Sequence, residues 1–397
     1  MVASFVAAAT SGRRDRAEGL LEAHPEIADD PWAALVLGRG WDGDPTEPGG
    51  PLGWAPLLYV CHSCFASLDL ALGLIERGAD PNAAFTNEHG RMTALYGAAG
   101  VLHDPELTGL LLSAGAKPDD GESIYHAVEA ESTDCLRELL DAGAQTRGTN
   151  ALAHALDDDQ LEHVRLLLES GADPNEGPIL AHAVRRGRGP ETLRLLVEHG
   201  AEVDRPGGEL WRGDVPLRTP YQHAVLRGRP DDAEVLAELG ASTAVAADDL
   251  AIAAVARGER PEGELPAELD PDAQEVLVLA ALHGSAALVL ELVGPGFRGV
   301  VGGSPAGTLV HHAAWVGDAE LVGELLAAGA EADAGSDAEF GTPLAWAALA
   351  SAEHAVPGRD YVGIAERLTA AGARVEPRLV EVAGGPLLPW LEARANG

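Results

Sequence analysis

The chain has 397 residues, 46% hydrophobic and 23% charged, a composition that excludes general disorder and a length that exceeds one ordinary globular core. Its 27 basic and 63 acidic residues leave a formal charge of −36, which opposes a surface built to neutralise nucleic-acid phosphates or anionic lipid headgroups. Such acidity serves solubility, or draws a basic partner through the field.

At the N-terminus, Met1 to Thr10 is apolar enough to resemble a signal peptide but lacks a basic stretch before it. No run of 18 apolar residues occurs in the chain, so neither export nor a membrane span is expected. Cys61, Cys64 and Cys135 are too few and too unevenly placed for a disulfide framework, and their odd number points to a reducing, cytoplasmic setting.

From residue 54 onward the chain repeats itself. Eight Gly-Ala pairs, beginning at Gly78, Gly115, Gly143, Gly171, Gly200, Gly240, Gly329 and Gly372, each follow apolar or small residues spaced i, i+3 and i+4. Leu136, Leu139, Leu140, Gly143, Ala144 and Val164, Leu167, Leu168, Gly171, Ala172 are clear cases. That spacing is one apolar stripe on a helix, and the glycine just beyond supplies a left-handed cap at low steric cost. Upstream lies a second helix marked by a small pair: Ala98-Ala99, Ala127-Val128, Ala155-Leu156, Ala183-Val184, Ala224-Val225 and Ala313-Ala314. From each of these pairs to its glycine is 15 or 16 residues, which defines a helix, turn, helix module. A lone module cannot cover its own apolar face, so modules must stack into one spine.

These residues resemble the ankyrin-repeat family, whose unit reads T-P-L-H-x-A-A followed by V-x-x-L-L-x-x-G-A. The chain carries Gly341-Thr342-Pro343-Leu344-Ala345-Trp346-Ala347-Ala348, Thr219-Pro220-Tyr221-Gln222-His223-Ala224-Val225 and Gly307-Thr308-Leu309-Val310-His311-His312-Ala313-Ala314. Asp80-Pro81-Asn82 and Asp173-Pro174-Asn175 follow two of the Gly-Ala pairs, as the family's helix exits do. The resemblance implies an all-α fold, an ankyrin-repeat α-solenoid of stacked helix-turn-helix units with short β-hairpin fingers. Residues 1–53 read as an N-terminal capping repeat and connecting segment, 54–244 as repeats, 245–305 as degenerate repeats, 306–375 as repeats, and 376–397 as a C-terminal cap. In the degenerate stretch, Leu250 to Arg257, Ala273 to Leu282 and Leu288 to Val293 read as helices, forming one or two weak repeats.

The fingers vary in length. From the capping glycine to the next small pair is 13 residues after Gly115, Gly143 and Gly171, but 21 after Gly78, 25 after Gly200 and 19 after Gly329. Loops on a rigid scaffold are where partners bind. The extended fingers therefore supply candidates: Phe85, Asn87, His89 and Arg91 in one, and Glu209, Leu210, Trp211, Arg212 and Asp214 in another. Trp211 is either a partner anchor or a ring folded back onto the groove. The two positions after each small pair are expected to face the concave groove: Glu129-Ala130, Asp157-Asp158, Arg185-Arg186, Leu226-Arg227 and Trp315-Val316. Their charges either make a mixed polar groove or pair between neighbouring repeats.

Several stretches of the same chain resemble catalytic or metal signatures. His126, His154, His182, His223 and His312 recur just before the small pair, but equivalent residues on stacked helices lie about a helix width apart. A metal ladder is excluded on that spacing, and hydrogen bonding between repeats is expected. Cys61-His62-Ser63-Cys64 is read as buried packing on a helix, because no second pair closes a zinc site. Gly302-Gly303-Ser304-Pro305-Ala306-Gly307 misses the nucleophile-elbow spacing by one residue and reads as a turn before Thr308. The expectation is a monomeric, non-catalytic module without metal or cofactor that binds an unknown protein, a basic one where the acidic field steers it, through its groove and long fingers. The alternative is a hydrolase-like enzyme hidden in 241–307, where Asp248, Asp249, His283 and Ser304 are the available groups.

Overall fold

The glycine that ends each module does so by its backbone. Gly78, Gly115, Gly143, Gly171, Gly200, Gly240, Gly329 and Gly372 all adopt φ between 88° and 102°, the left-handed region that side chains disfavour. Around Gly115, the Ala116 amide donates to the Leu111 carbonyl at 2.9 Å and the Gly115 amide to Leu112 at 3.0 Å, a Schellman closure that satisfies the last carbonyls of the helix.

The computed structural model describes all residues except 89, 209–216, 303, 337, 339–340, 354–357 and 396–397. It divides into two compact units, Met1–Glu202 and Val203–Gly397, so the division falls inside the block 54–244.

In the Met1–Glu202 unit, helices Val2–Thr10 and Arg14–Ala23 form the first pair. Later pairs are Pro56–Cys61 with Leu68–Glu76, Ser123–Ala127 with Asp134–Asp141, Ala151–Asp157 with Leu161–Glu169, and Ile179–Arg185 with Pro190–Glu198. Between the first two of these later pairs, Ala94–Tyr96 continues into the π-helical turn Gly97–Val101 and pairs with Pro105–Ser113. First helices pack on first helices and second on second. The i, i+3 stripe is what they bury: Leu136, Leu139, Leu167, Leu193 and Leu196 are 0% exposed. Small residues on the first helices permit close approach. A Cβ on Gly97 would lie 2.5 Å from the Cys61 carbonyl oxygen and 2.7 Å from the His62 ring.

The helix expected to carry both Cys61 and Cys64 stops at Cys61. Ser63 then turns the chain, its hydroxyl donating to the Val36 carbonyl at 2.7 Å and accepting from the Phe65 amide at 3.0 Å. Cys64 lies in that turn, with its amide on the Ala9 carbonyl at 3.0 Å.

Strands β1 (Ala84–Asn87) and β2 (Gly90–Thr93) form the finger after Gly78, with Phe85 opposite Met92 and Thr86 opposite Arg91. Among the described residues, the short connections after Gly115, Gly143 and Gly171 contain no strand.

In the Val203–Gly397 unit, Gly207 and Arg218 pair at the base of the next finger. Helices Pro220–Leu226 and Pro230–Glu238 follow, then Ala247–Ala256, which packs on Pro220–Leu226. In the place of its second helix, residues 259–270 are irregular. Pro271–Ala280 and Ala286–Val293 come next, and the stretch Pro271–Val293 is long and apolar enough, by length and composition, to cross a membrane. His283 (φ −100°, ψ 24°) and Gly284 (φ 105°) break it, however, and Val276, Leu277, Val278 and Val289 are buried in the protein core. The break makes it the two helices of one repeat. A second hairpin, β3 (Arg298–Gly299) with β4 (Gly307–Thr308), is a finger where the sequence showed only a turn. Helices Leu309–Val316 with Ala319–Ala327 and Pro343–Glu353 with Tyr361–Ala370 continue the array, and Pro377–Glu381 and Leu387–Ala395 end it.

Candidate functional site

A groove of ≈ 760 Å³ opens on the finger side of the Met1–Glu202 unit, lined by Trp54, Phe85 and Tyr96 together with Asn87, Glu122 and His126. Its aromatic wall extends a chain of rings. Trp54 stacks on Phe85 (3.9 Å, 14°) and leans on Tyr59 (5.4 Å), which leans on Trp32 (5.1 Å). Tyr59 is 0% exposed, and its hydroxyl donates to the Gly49 carbonyl (2.8 Å) and accepts from the Leu52 amide (2.9 Å). The connecting segment before residue 54 is thereby tied to the first helix that carries the groove.

Strand alternation sorts the finger residues. Phe85, Asn87 and Met92 line the groove, while Arg91 stands on the opposite face and donates to the Asn82 carbonyl at 2.9 Å. His89 lies outside the described residues.

Next to the groove runs a carboxylate–imidazole ladder across three repeats. Glu129 Oε1 receives His126 Nδ1 at 2.8 Å from its own repeat and His154 Nε2 at 2.9 Å from the next. Asp157 Oδ1 receives His182 Nε2 at 2.8 Å and Arg186 Nε at 2.7 Å, and its other oxygen is 4.0 Å from His154 Nδ1. Burial pushes both carboxyls up. For Glu129 the hydrogen bonds from His154 and His126 outweigh it, and Asp157, facing His154, His182 and Arg186, is held well below the usual carboxylate range. His154 is raised by Asp157 first, with burial opposing and Glu129 adding to the rise. The neighbouring tyrosines register the same negative field. Burial and then Glu129 and Glu122 raise Tyr96, and burial followed by Asp157, Glu129, Asp158 and Glu122 raises Tyr125.

Repeats that keep a finger use the equivalent histidine differently. His223 Nε2 bonds the Gly207 carbonyl at 2.7 Å and His312 Nε2 the Gly299 carbonyl at 3.1 Å, both on the finger of their own repeat. Where the finger is cut short the imidazole turns to a carboxylate instead, His126 to Glu129 of its own repeat and His154 and His182 to Glu129 and Asp157 of the preceding one. Hydrogen bonding between repeats, expected of all five histidines, is thus what His154 and His182 do.

Of the other expected groove residues, Arg185 is half-buried at the end of Ile179–Arg185 and Trp315 is half-buried with its ring 6.1 Å from Trp346. Arg227 turns inward: its side chain is 6% exposed and meets Glu275 at 2.8 Å and Asp272 at 3.4 Å. Glu209, Trp211, Arg212 and Asp214 lie outside the described residues.

Residues 95–177 match the family model for ankyrin repeats (3 copies). That stretch carries ankyrin repeats. Among solved structures, the ankyrin repeat domain of Bcl-3, described as a unique member of the IkappaB protein family, is 28% identical, covering 44% of this chain and 82% of its own, with TM-score 0.36. The human ASB11 ankyrin repeat domain is 19% identical over 60% of this chain and 99% of its own, with TM-score 0.40. An ankyrin repeat domain from Acinetobacter baumannii AYE is 24% identical over 44% of this chain and 93% of its own, with TM-score 0.37. No curated protein matches the chain. Ankyrin repeats are in general protein–protein interaction modules.

The stretch expected to hold degenerate repeats is organised by buried charge. Arg218 (side chain 9% exposed) reaches Asp249 at 2.8 Å, Asp270 at 2.7 Å and Asp272 at 3.4 Å. Burial opposes its charge, but the Asp249 and Asp270 carboxylates hold its pKa above the ordinary arginine value. This cluster joins a finger base, the unpaired helix Ala247–Ala256 and the start of Pro271–Ala280, where a normal repeat would have a second helix to pack. Asp249, one of the groups of the hydrolase reading, is therefore a structural counter-ion. Ser304 closes its own turn, its hydroxyl accepting from the Val301 amide at 3.0 Å. Among the described residues no group of three or more His, Cys, Asp or Glu could hold a metal ion.

Trp54, Tyr96 and Glu122 were missed in the sequence. Tyr96 replaces the histidine of the T-P-L-H pattern in Thr93-Ala94-Leu95-Tyr96, a departure from the repeat that could have marked it. Nothing local marks Trp54 or Glu122.

Proposed function

We propose that the chain is a non-catalytic interaction module that binds a partner protein through the groove and fingers of its ankyrin repeats. The observation that carries this reading is the aromatic groove of the Met1–Glu202 unit, where Trp54, Phe85 and Tyr96 gather on one lining. Contiguous aromatic surface rimmed by polar groups is the composition of binding hot spots. Against a hydrolase stands the engagement of Asp249 by Arg218 at 2.8 Å and 3.0 Å. The chain acts as a monomer in a reducing compartment such as the cytoplasm, a placement supported by the three free thiols of Cys61, Cys64 and Cys135.

Affinity capture from the source cell tests this with wild type beside Phe85→Ala and beside the finger variant Trp211→Ala, Arg212→Ala. Partners are expected to drop out of the Phe85→Ala capture while the thermal melt stays close to wild type. Identical captured sets from all three proteins would remove both the groove and the 205–218 finger from the interface.

A further inference from the structure

The groove has a charge as well as a shape, and the two together point to one kind of occupant. Among the described residues its lining holds the rings of Trp54, Phe85 and Tyr96, the imidazoles of His62 and His126 and one carboxylate, Glu122, and no lysine or arginine. Arg91, the nearest finger cation in sequence, is on the other face of the strand pair. Beyond Glu122 the negative potential continues along the ladder. Burial is the larger cause of the rise at both tyrosines, and to it Glu129 and Glu122 add at Tyr96 and Asp157, Glu129, Asp158 and Glu122 at Tyr125, so four carboxylates act on this one face. The groups facing them are the imidazoles of His126, His154 and His182 and the guanidinium of Arg186, with Glu129 and Asp157 accepting from them. Glu122 is a carboxylate on the groove lining itself, its oxygen 3.6 Å from His126 Nε2, within ion-pair distance.

We infer that the groove receives a cationic side chain from a basic segment of the partner, the aromatic lining of Trp54, Phe85 and Tyr96 contacting the cation and Glu122 supplying its counter-charge. This deepens the interaction reading above and rests on it. Aromatic faces attract guanidinium and ammonium groups through the ring quadrupole, and more strongly once water is excluded. A carboxylate within the same concavity adds direct charge complementarity. The groove's ≈ 760 Å³ lies within the ~300–1,000 Å³ typical of ligand pockets, enough for a side chain together with part of the extended backbone that carries it. A formal charge of −36 steers such a segment toward the chain from a distance.

The test uses the full chain and a short fluorescein-labelled peptide alternating arginine with glycine and serine, read by anisotropy. A matched peptide with citrulline at each arginine keeps the shape and removes the charge. The arginine peptide is expected to bind at least ~10-fold more tightly than the citrulline peptide. Phe85→Ser and Glu122→Gln should each weaken the arginine peptide by about 10-fold with unchanged melting temperature. Glu324→Gln, which removes one exposed charge from the other unit, should leave it unchanged. Equal binding of both peptides overturns the proposal. So does an equal loss in Glu324→Gln and Glu122→Gln with none in Phe85→Ser, which would reduce the effect to the general field of an acidic protein. If the Phe85→Ala capture loses partners while neither peptide binds, the interaction surface stands and the cationic occupant falls.

Discussion

Replacing Arg218 with methionine tests whether buried charge stands in for the missing helix of the degenerate repeat. The guanidinium donates to Asp249 at 2.8 and 3.0 Å and to Asp270 at 2.7 Å, and lies 3.4 Å from Asp272, whose side chain is 1% exposed. Removing one partner of a buried ion pair strands the other, at a cost of ~3–5 kcal/mol. Two features place this site near the lower end: Asp270 remains 23% exposed, and Asp272 keeps Arg227 at 3.4 Å. A loss of about 3 kcal/mol is therefore expected, and at ~1.4 kcal/mol per tenfold this accelerates local opening by about 100-fold. Native-state hydrogen exchange read by mass spectrometry measures it on peptides from Ala247–Ala256 and Pro271–Ala280. Adding Asp249→Asn to Arg218→Met should recover part of the protection, because one stranded charge is gone. An acceleration below about threefold in those two helices would refute the idea that the ion cluster holds them.

The ladder makes stability of the short-fingered repeats depend on pH. Asp157 and Glu129 are lowered, so their contribution is present above their ordinary values of 3.8 and 4.5 and is lost as pH falls below them. His154 is raised, so its contribution is complete below 6.5 and is lost as pH rises through its folded value. Protection of Ala151–Asp157 against hydrogen exchange, corrected for intrinsic rates, should therefore peak at mildly acidic pH, and His154→Gln should flatten the profile; an unchanged profile in the variant would exclude the ladder as its source. Two glycines separate conformational cost from steric cost. Gly143 has φ 88° and open space around an added Cβ, so Gly143→Ala should cost about 1 kcal/mol in urea titration. Gly97→Ala, whose Cβ would lie 2.5 Å from the Cys61 carbonyl oxygen, should cost more than Gly143→Ala, and the reverse order would contradict the close helix approach.

The module was legible because its causes are local. Apolar stripes such as Leu136, Leu139 and Leu140, the small pair Ala127-Val128 and the capping Gly143 all lie within one repeat, and periodicity alone exposes them. Finger lengths were legible too, since they are counted along the chain, and they placed Phe85 and Asn87 on the β1–β2 finger. Only tertiary structure decided what side chains from different repeats do together. Glu129 reads in sequence as a groove charge, and its carboxylate holds His154, 25 residues away, at 2.9 Å. Arg227 reads the same way and turns inward to Glu275, 48 residues on. Trp54 and Phe85, 3.9 Å apart across a stacked module, carry no mutual signal in the order of residues. Stacking sets these distances, and stacking is a relation between modules whose spacing along the chain varies with each finger. The residue pattern therefore determines the repeat, while the neighbours that each polar side chain meets are determined by how one repeat seats on the next.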